Sequence, residues 1–318
     1  MSSRVRVLAK SVTKHPKYMS VDSVRAREVA VLLSEVELTI PTWDFEPCHL
    51  QSNDFEEMCL FYLIFNAINY CYFDQDGEKF SAGEHSGSTL AGKCLVRGWG
   101  DISDPFFLSK VDENYLLCEL FDAEVPISLV KERTLALREV GEFLNKESDF
   151  TFEKLFARSC GDAYSVSQFL PTLLPSWRDP FAKRSQLFVG MVQGRFQYLE
   201  TPPFTRSRLS ELTVFADYQV PRTLMAMGIL VPTASLLSEL YCKQFIRSGS
   251  RKELEIRAST IIGADLLTEE LNRIKGTEDI NALHTDYLLW GASRRSDIPE
   301  GVFSRSSPNH HYTMTTDY

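Results

Sequence analysis

Helical periodicity, set off by local start signals, runs along nearly all of this 318-residue chain and fixes its class as mainly α. Residues 23–34 place Val24, Val29, Leu32 and Leu33 on one face of an amphipathic helix. Asn53 and Glu56 have capping-box spacing at the head of a helix predicted over 55–73. Its apolar stretch, 59–73, is too short to span a bilayer and is interrupted by Asn66 and Asn69, so it predicts a buried helix. The polar stretch 74–88 predicts a loop, with a short strand near Lys79 and Phe80. Short helices are expected at 89–97, 105–111 and 114–121, and a longer one headed by Pro126 through Leu144. Further helices are expected at 150–157, 163–174, 183–193, 221–229, 233–246, 251–274 and 278–294. Loops are expected at 200–208 and 294–309. No 20–50-residue repeat, Gly-rich phosphate loop or dinucleotide fingerprint is present.

At 44% apolar residues the chain can bury a large core. The expectation is a single compact multi-helix domain over 1–318 with at most a small β element. Within it, an N-terminal helical part covers about 18–150, a C-terminal part with the active site covers about 151–318, and residues 1–17 are flexible. A net charge of −9 disfavours a protein that grips long nucleic acid, although a small phosphate pocket needs only two or three basic side chains. Seven scattered cysteines without a Cys-x-x-Cys pair argue against disulfides and fit a reducing cytosol. No signal peptide or membrane span is visible, so a cytoplasmic monomer is expected.

The segment Thr213-Val-Phe-Ala-Asp-Tyr-Gln-Val-Pro-Arg222 sets one carboxylate in an apolar, aromatic turn. Pro221 reads as the first residue of a helix, which puts Asp217 just before a helix N-terminus between Phe215 and Tyr218. A carboxylate there either caps the helix or faces a cationic transition state beside a stacked base. Ser250-Arg-Lys-Glu253 is a capping box, with Glu253 and Arg257 at i, i+4. Asp286-Tyr-Leu-Leu-Trp290 puts an acid and an indole one turn apart on a helix. The pair His310-His311 invites a metal reading. Adjacent histidines point apart on a strand and no Cys, Asp or Glu precedes them at ligand spacing, so neither zinc nor any other cofactor is expected.

Four of these blocks, Phe215-Ala-Asp-Tyr218, Glu253-Leu-Glu-Ile-Arg257, Asp286-Tyr-Leu-Leu-Trp290 and His310-His311, resemble those of the queuosine salvage proteins, which are queuosine 5′-phosphate N-glycosylase/hydrolases. The likeness extends through Trp43, His49, residues 66–73 and 87–99, Pro126, Arg133 and Ser176-Trp-Arg178, nearly the whole chain. It implies hydrolysis of the N-glycosidic bond of queuosine 5′-monophosphate, releasing the 7-deazaguanine base queuine for return to transfer RNA. It also implies a helical fold similar to that of helix-hairpin-helix DNA glycosylases. That superfamily's Asp-x-His-Val-x-Arg is similar to Asp217-Tyr-Gln-Val-Pro-Arg222. The lysine match is loose, because Lys183 lies 34 positions upstream (217 − 183), and residues 204–212 contain no glycine for the hairpin that grips duplex DNA.

The resemblance implies roles. Breaking a ribosyl C–N bond develops oxocarbenium character at C1′ and negative charge on the base, so a carboxylate under C1′ stabilises it and orients water. Asp217 is assigned there. Asp286 is assigned to the guanine-like edge, accepting from N1–H and the exocyclic amine, and the reverse assignment stays open. Phe215 and Tyr218 stack on the base. Lys183 is a phosphate or polar contact, with Schiff-base attack on C1′ the alternative and a solvated helix face, shared with Arg184, the bland reading. His49 and Tyr287 are substrate contacts. His311 or Tyr312 closes the pocket, Trp290 packs behind Asp286, and Glu253, Glu255 and Arg257 brace the site from within. A 7-deazapurine lacks the nitrogen usually protonated in a purine leaving group, so turnover should be slow and base recognition part of catalysis. Several family members carry an acid where this chain has Gly291, which bears on substrate preference. Competing expectations are a base-excision glycosylase and a silent base-binding protein.

Overall fold

The computed structural model describes residues 3–204 and 209–318; within the expected 200–208 loop and the glycine-free stretch 204–212, positions 205–208 lie outside the described residues. The described residues are mainly helical, with two small antiparallel sheets of two strands each. The chain forms two compact units. One comprises Met1–Pro41 and Arg206–Thr313, the other Thr42–Thr205 and Met314–Tyr318. This division does not follow the expected one near residue 150.

The first unit is organised by the helix Arg251–Lys275. Ser250 caps it by accepting from the Glu253 amide at 3.3 Å, and Gly276 ends it with φ +63, a left-handed conformation that costs glycine little. Arg4–Thr13 and Ser23–Leu32 pack on this helix, so residues expected to be flexible are in part helical and docked. Arg6 pairs with Asp265 at 2.9 Å and donates to the carbonyls of Ser210 and Leu212, tying the N-terminal helix to the stretch that leads into residue 213. The strand Met19–Val21 pairs antiparallel with Leu230–Pro232.

Glu255 explains why the chain start belongs to this unit. Its fully buried carboxylate accepts from three consecutive amides, Lys17, Tyr18 and Met19, at 2.7, 2.5 and 2.9 Å, and pairs with Arg251 at 3.1 Å. Burial pushes the Glu255 carboxyl up, but the amides of Tyr18, Met19 and Lys17 and the Arg251 guanidinium outweigh it and hold it below the ordinary value of 4.5. The unfolded chain therefore takes up this proton more readily than the folded one. The stability Glu255 contributes is complete above the unfolded value and is lost as pH falls through the lower folded one. Replacing Glu255 by Gln is expected to lower Tm at neutral pH and to flatten the fall of Tm below about pH 4.5, read from melts across a pH series.

In the second unit the helix Phe55–Ile68 is buried over almost its whole surface, including residues 61–68. Asp54, not Asn53, caps it, accepting from Glu57 at 2.7 Å. Glu56 instead serves the start of the helix Phe152–Arg158, accepting from the amides of Phe152 and Glu153 at 2.7 and 2.9 Å. The helix ends at Ile68, short of the expected Phe73, because distant cations take up its last carbonyls. Arg184 donates to Ala67, Arg133 to Ile68, Tyr70 and Cys71, and Lys183 to Asn69. Val130–Lys146 and Lys183–Phe196 flank it. The former begins after Leu129, whose φ of +50 breaks the run expected from Pro126. Its Gly141 meets the short helix Pro105–Leu108, where an added Cβ would sit 2.3 Å from the Ser109 nitrogen. Lys183–Phe196 is started by Asp179, which accepts from the amides of Phe181 and Lys183 at 3.0 and 2.7 Å.

Candidate active site

The Asp217 turn lies in the first unit and is held from several directions. The segment 213–216 is buried, and Asp217, Tyr218 and Gln219 are half-exposed. The Asp217 Oδ1 atom accepts from the amides of Gln219 and Val220 at 2.7 and 2.9 Å. The helix consequently starts at Gln219 and runs to Met227, with Pro221 its third residue instead of its first. The Asp217 amide donates back to the Phe215 carbonyl at 2.6 Å, a tight three-residue turn.

Asp286 is brought to this turn by the helix Ala282–Gly291. Asn281 caps that helix, accepting from Leu283 at 3.0 Å, while the His284 ring accepts from the Asn281 amide. Thr285 and Thr268 share a 2.7 Å hydroxyl bond that fastens it to Arg251–Lys275. The helix starts at Ala282 and not near 278, because Asn272 takes both backbone groups of Ile280. Asp286 is buried, and its Oδ1 accepts from the Phe215 amide at 2.7 Å. The two assigned aspartates thus act on one short stretch of backbone. The buried Arg257 reaches the same stretch, donating to the Ala216 carbonyl at 2.8 Å and lying 3.6 Å from Glu253.

The C-terminal part of this unit brings a histidine to the turn. The His310 ring lies against Tyr218, centroids 4.8 Å apart, and against Tyr312 at 4.2 Å. Tyr312 pairs with Phe245, and Arg222 anchors the approach by donating to the Pro308 carbonyl at 2.9 Å. The neighbouring His311, assigned to the site from sequence, is fully buried; burial, with His310 and Arg257 nearby, pushes it down to about 3, so it is neutral at physiological pH. Alternation along an extended chain says that adjacent histidines point apart but not which one faces Tyr218, so His310 was not legible.

Other assigned residues fall as follows. Phe215 is buried beside the turn and Tyr287 is half-buried, within electrostatic reach of Arg295, which Asp297 holds by two bonds of 2.8 and 2.5 Å. Trp290 is the residue expected from sequence to pack behind Asp286. It is exposed, with the Arg294 guanidinium 4.1 Å over its ring, a cation–π contact that leaves the indole facing solvent. At Gly291 an added Cβ would meet only Arg295 Cδ, at 3.9 Å, so a side chain fits there. Lys183 and His49 belong to the second unit. Lys183 and Arg184 are both buried, which removes the reading of a solvated helix face, and the Lys183 ammonium donates to Asn69 O at 3.0 Å. His49 sits among Trp43, Phe45, Phe61, Tyr62 and Phe65, with its Nδ1 accepting from the Phe45 amide. Burial pushes it down to about 4, with Asp44 opposing in part. Among the described residues no group of three or more His, Cys, Asp or Glu could hold a metal ion, and no helix is long and apolar enough to cross a membrane.

The model of the queuosine salvage protein family matches residues 48–318. Among the relatives is a queuosine 5′-phosphate N-glycosylase/hydrolase of Sphaerobacter thermophilus, 28% identical over 334 residues that cover 99% of this chain and 97% of that protein. Proteins of the same name from Bos taurus and Mus musculus are 25% and 24% identical, each covered over 96% of its length by at least 95% of this chain. With the motif-bearing segments 213–222, 251–257, 286–290 and 310–311 all inside the matched span, the chain belongs to the queuosine salvage protein family.

Proposed function

We infer that the protein hydrolyses the N-glycosidic bond of queuosine 5′-monophosphate and releases queuine. The observation that carries the chemistry is the Asp217 carboxylate, held by two amides at a helix start against an otherwise buried segment. Two amide donors on one oxygen hold that end of the group in place. In the proposed mechanism that carboxylate faces C1′ as the C–N bond lengthens. It stabilises the oxocarbenium-like sugar and accepts a proton from the attacking water as the water oxygen bonds to C1′; that proton then passes through solvent to the departing base anion, which regenerates the carboxylate. Phe215 and Tyr218 flank the base. We assign Asp286, whose Oδ1 accepts from the Phe215 amide, to the N1–H and exocyclic amine of the base, a pair of donors that a carboxylate can accept together. Tyr287 and His311 complete the assigned contacts of this unit. Lys183, as a phosphate or polar contact, and His49, as a substrate contact, enter the proposal on the resemblance alone. We further propose a cytoplasmic monomer without a stable nucleic-acid partner; free cysteines at all seven positions support the compartment.

Incubating the purified protein with queuosine 5′-monophosphate, queuosine and guanosine 5′-monophosphate, and following free base by chromatography, tests the reading. Base is expected from the first and from neither of the others. Absence of base from all three, with the protein folded, overturns it.

A further inference from the structure

We propose that Arg257 is a positioning residue for the Asp217 carboxylate, acting through the peptide bond between Ala216 and Asp217. The inference rests on the catalytic reading of Asp217 given above. That peptide plane is held at both ends: its carbonyl, on Ala216, accepts from Arg257 Nε at 2.8 Å, and its N–H, on Asp217, donates to the Phe215 carbonyl at 2.6 Å. The preceding amide, on Phe215, is held by Asp286 at 2.7 Å. Turning the plane swings the Cα–Cβ bond of Asp217 and with it the carboxylate, so a donor on the Ala216 carbonyl fixes where the negative charge points.

The choice of residue is informative. A buried carbonyl is satisfied as well by a neutral donor, and a guanidinium taken fully out of water carries a large desolvation penalty. What the arginine adds is a planar group with fixed donor directions, itself aimed by a second charge. Glu253, one turn earlier on the same helix and buried, lies 3.6 Å from it and is anchored by the Gly249 amide at 3.2 Å. The arrangement runs from the rigid Arg251–Lys275 helix, through Glu253 and Arg257, to the residue before Asp217.

The test is the steady-state kinetics of queuine release from queuosine 5′-monophosphate by four proteins: wild type, the neutral pair Glu253→Gln with Arg257→Met, Arg257→Lys, and Asp217→Asn. Loss of the clamp is expected to lower kcat about 100-fold in the neutral pair with KM within about threefold, since small misplacements of a reacting group cost on this scale. Arg257→Lys, which keeps a donor and a charge, is expected to recover about tenfold of that loss. A folded neutral pair with wild-type kcat, a loss confined to KM, or no recovery with lysine overturns the inference. Should the neutral pair not fold, Arg257→Lys decides alone: a reduced kcat at unchanged KM supports the clamp and a wild-type kcat refutes it. Undiminished turnover in Asp217→Asn overturns the catalytic reading instead, which keeps the two failures apart.

Discussion

Asp217→Asn is expected to lower kcat for queuosine 5′-monophosphate by about 10³-fold while leaving the fold and KM nearly unchanged. The asparagine oxygen can still accept from Gln219 and Val220, so the helix start survives, and the side-chain volume is conserved. In the proposed mechanism, what disappears is the negative charge opposite the developing cation and the site for the water proton. Asp217→Ala separates the two roles, because it removes the cap as well and should cost about 1 kcal/mol of stability in addition. Kinetics with parallel thermal melts read both. An asparagine variant with wild-type kcat would mean that the group facing C1′ is another one, and Asp286→Asn would then be the next measurement.

The largest effect on stability is expected at Arg133, in the other unit. Its guanidinium is fully buried and donates to four carbonyls, those of Ser128, Ile68, Tyr70 and Cys71, with the Tyr70 ring 4.3 Å away. Arg133→Met fills much of the volume but leaves those carbonyls without their donor in a place water does not reach. Loss on the order of 4–5 kcal/mol is expected, from hydrogen bonds to a charged group and the penalty of unsatisfied acceptors. For a domain of this size that corresponds to a fall in Tm of roughly 10–20 °C, measured by calorimetry. A fall under about 3 °C would show that the turn after Ile68 can re-pair its carbonyls elsewhere.

What could be read from sequence was what is decided locally. The Arg251–Lys275 helix was legible because its cap, Ser250, and its apolar spacing lie within the segment, although the capping box is not completed: the Glu253 carboxylate accepts from the Gly249 amide and not from that of Ser250. Asp217 was legible as a residue at a helix start because the turn, the aromatics and Pro221 stand together, although Pro221 itself proved to be the third helical residue and not the first. What escaped depends on partners far along the chain. The early end of Phe55–Ile68 is imposed by Arg133, Lys183 and Arg184, and nothing in 55–73 announces it. The bonds of Asp286 to Phe215 and of Arg257 to Ala216 join motifs that sequence could only set side by side. Trp290 was placed inside by its residue type, whereas a neighbouring arginine keeps an indole comfortable at the surface.

The strand pairing near the chain start has a consequence for how the protein is made. Ser20 and Val231, partners in one small sheet, stand 211 positions apart. On a ribosome adding roughly 5–20 residues per second, the early strand and its neighbouring helices wait some 10–40 s for that partner. During that interval Val5, Ala9, Val29 and Ala30, all buried in the finished protein, have no long helix to lie on. The intervening unit, continuous from Thr42 to Thr205, is synthesised within the same interval. Nascent chains stalled between residues 205 and 230 should therefore bind holdase chaperones through their first 41 residues, and release of the chain past the Arg251–Lys275 helix should end that dependence.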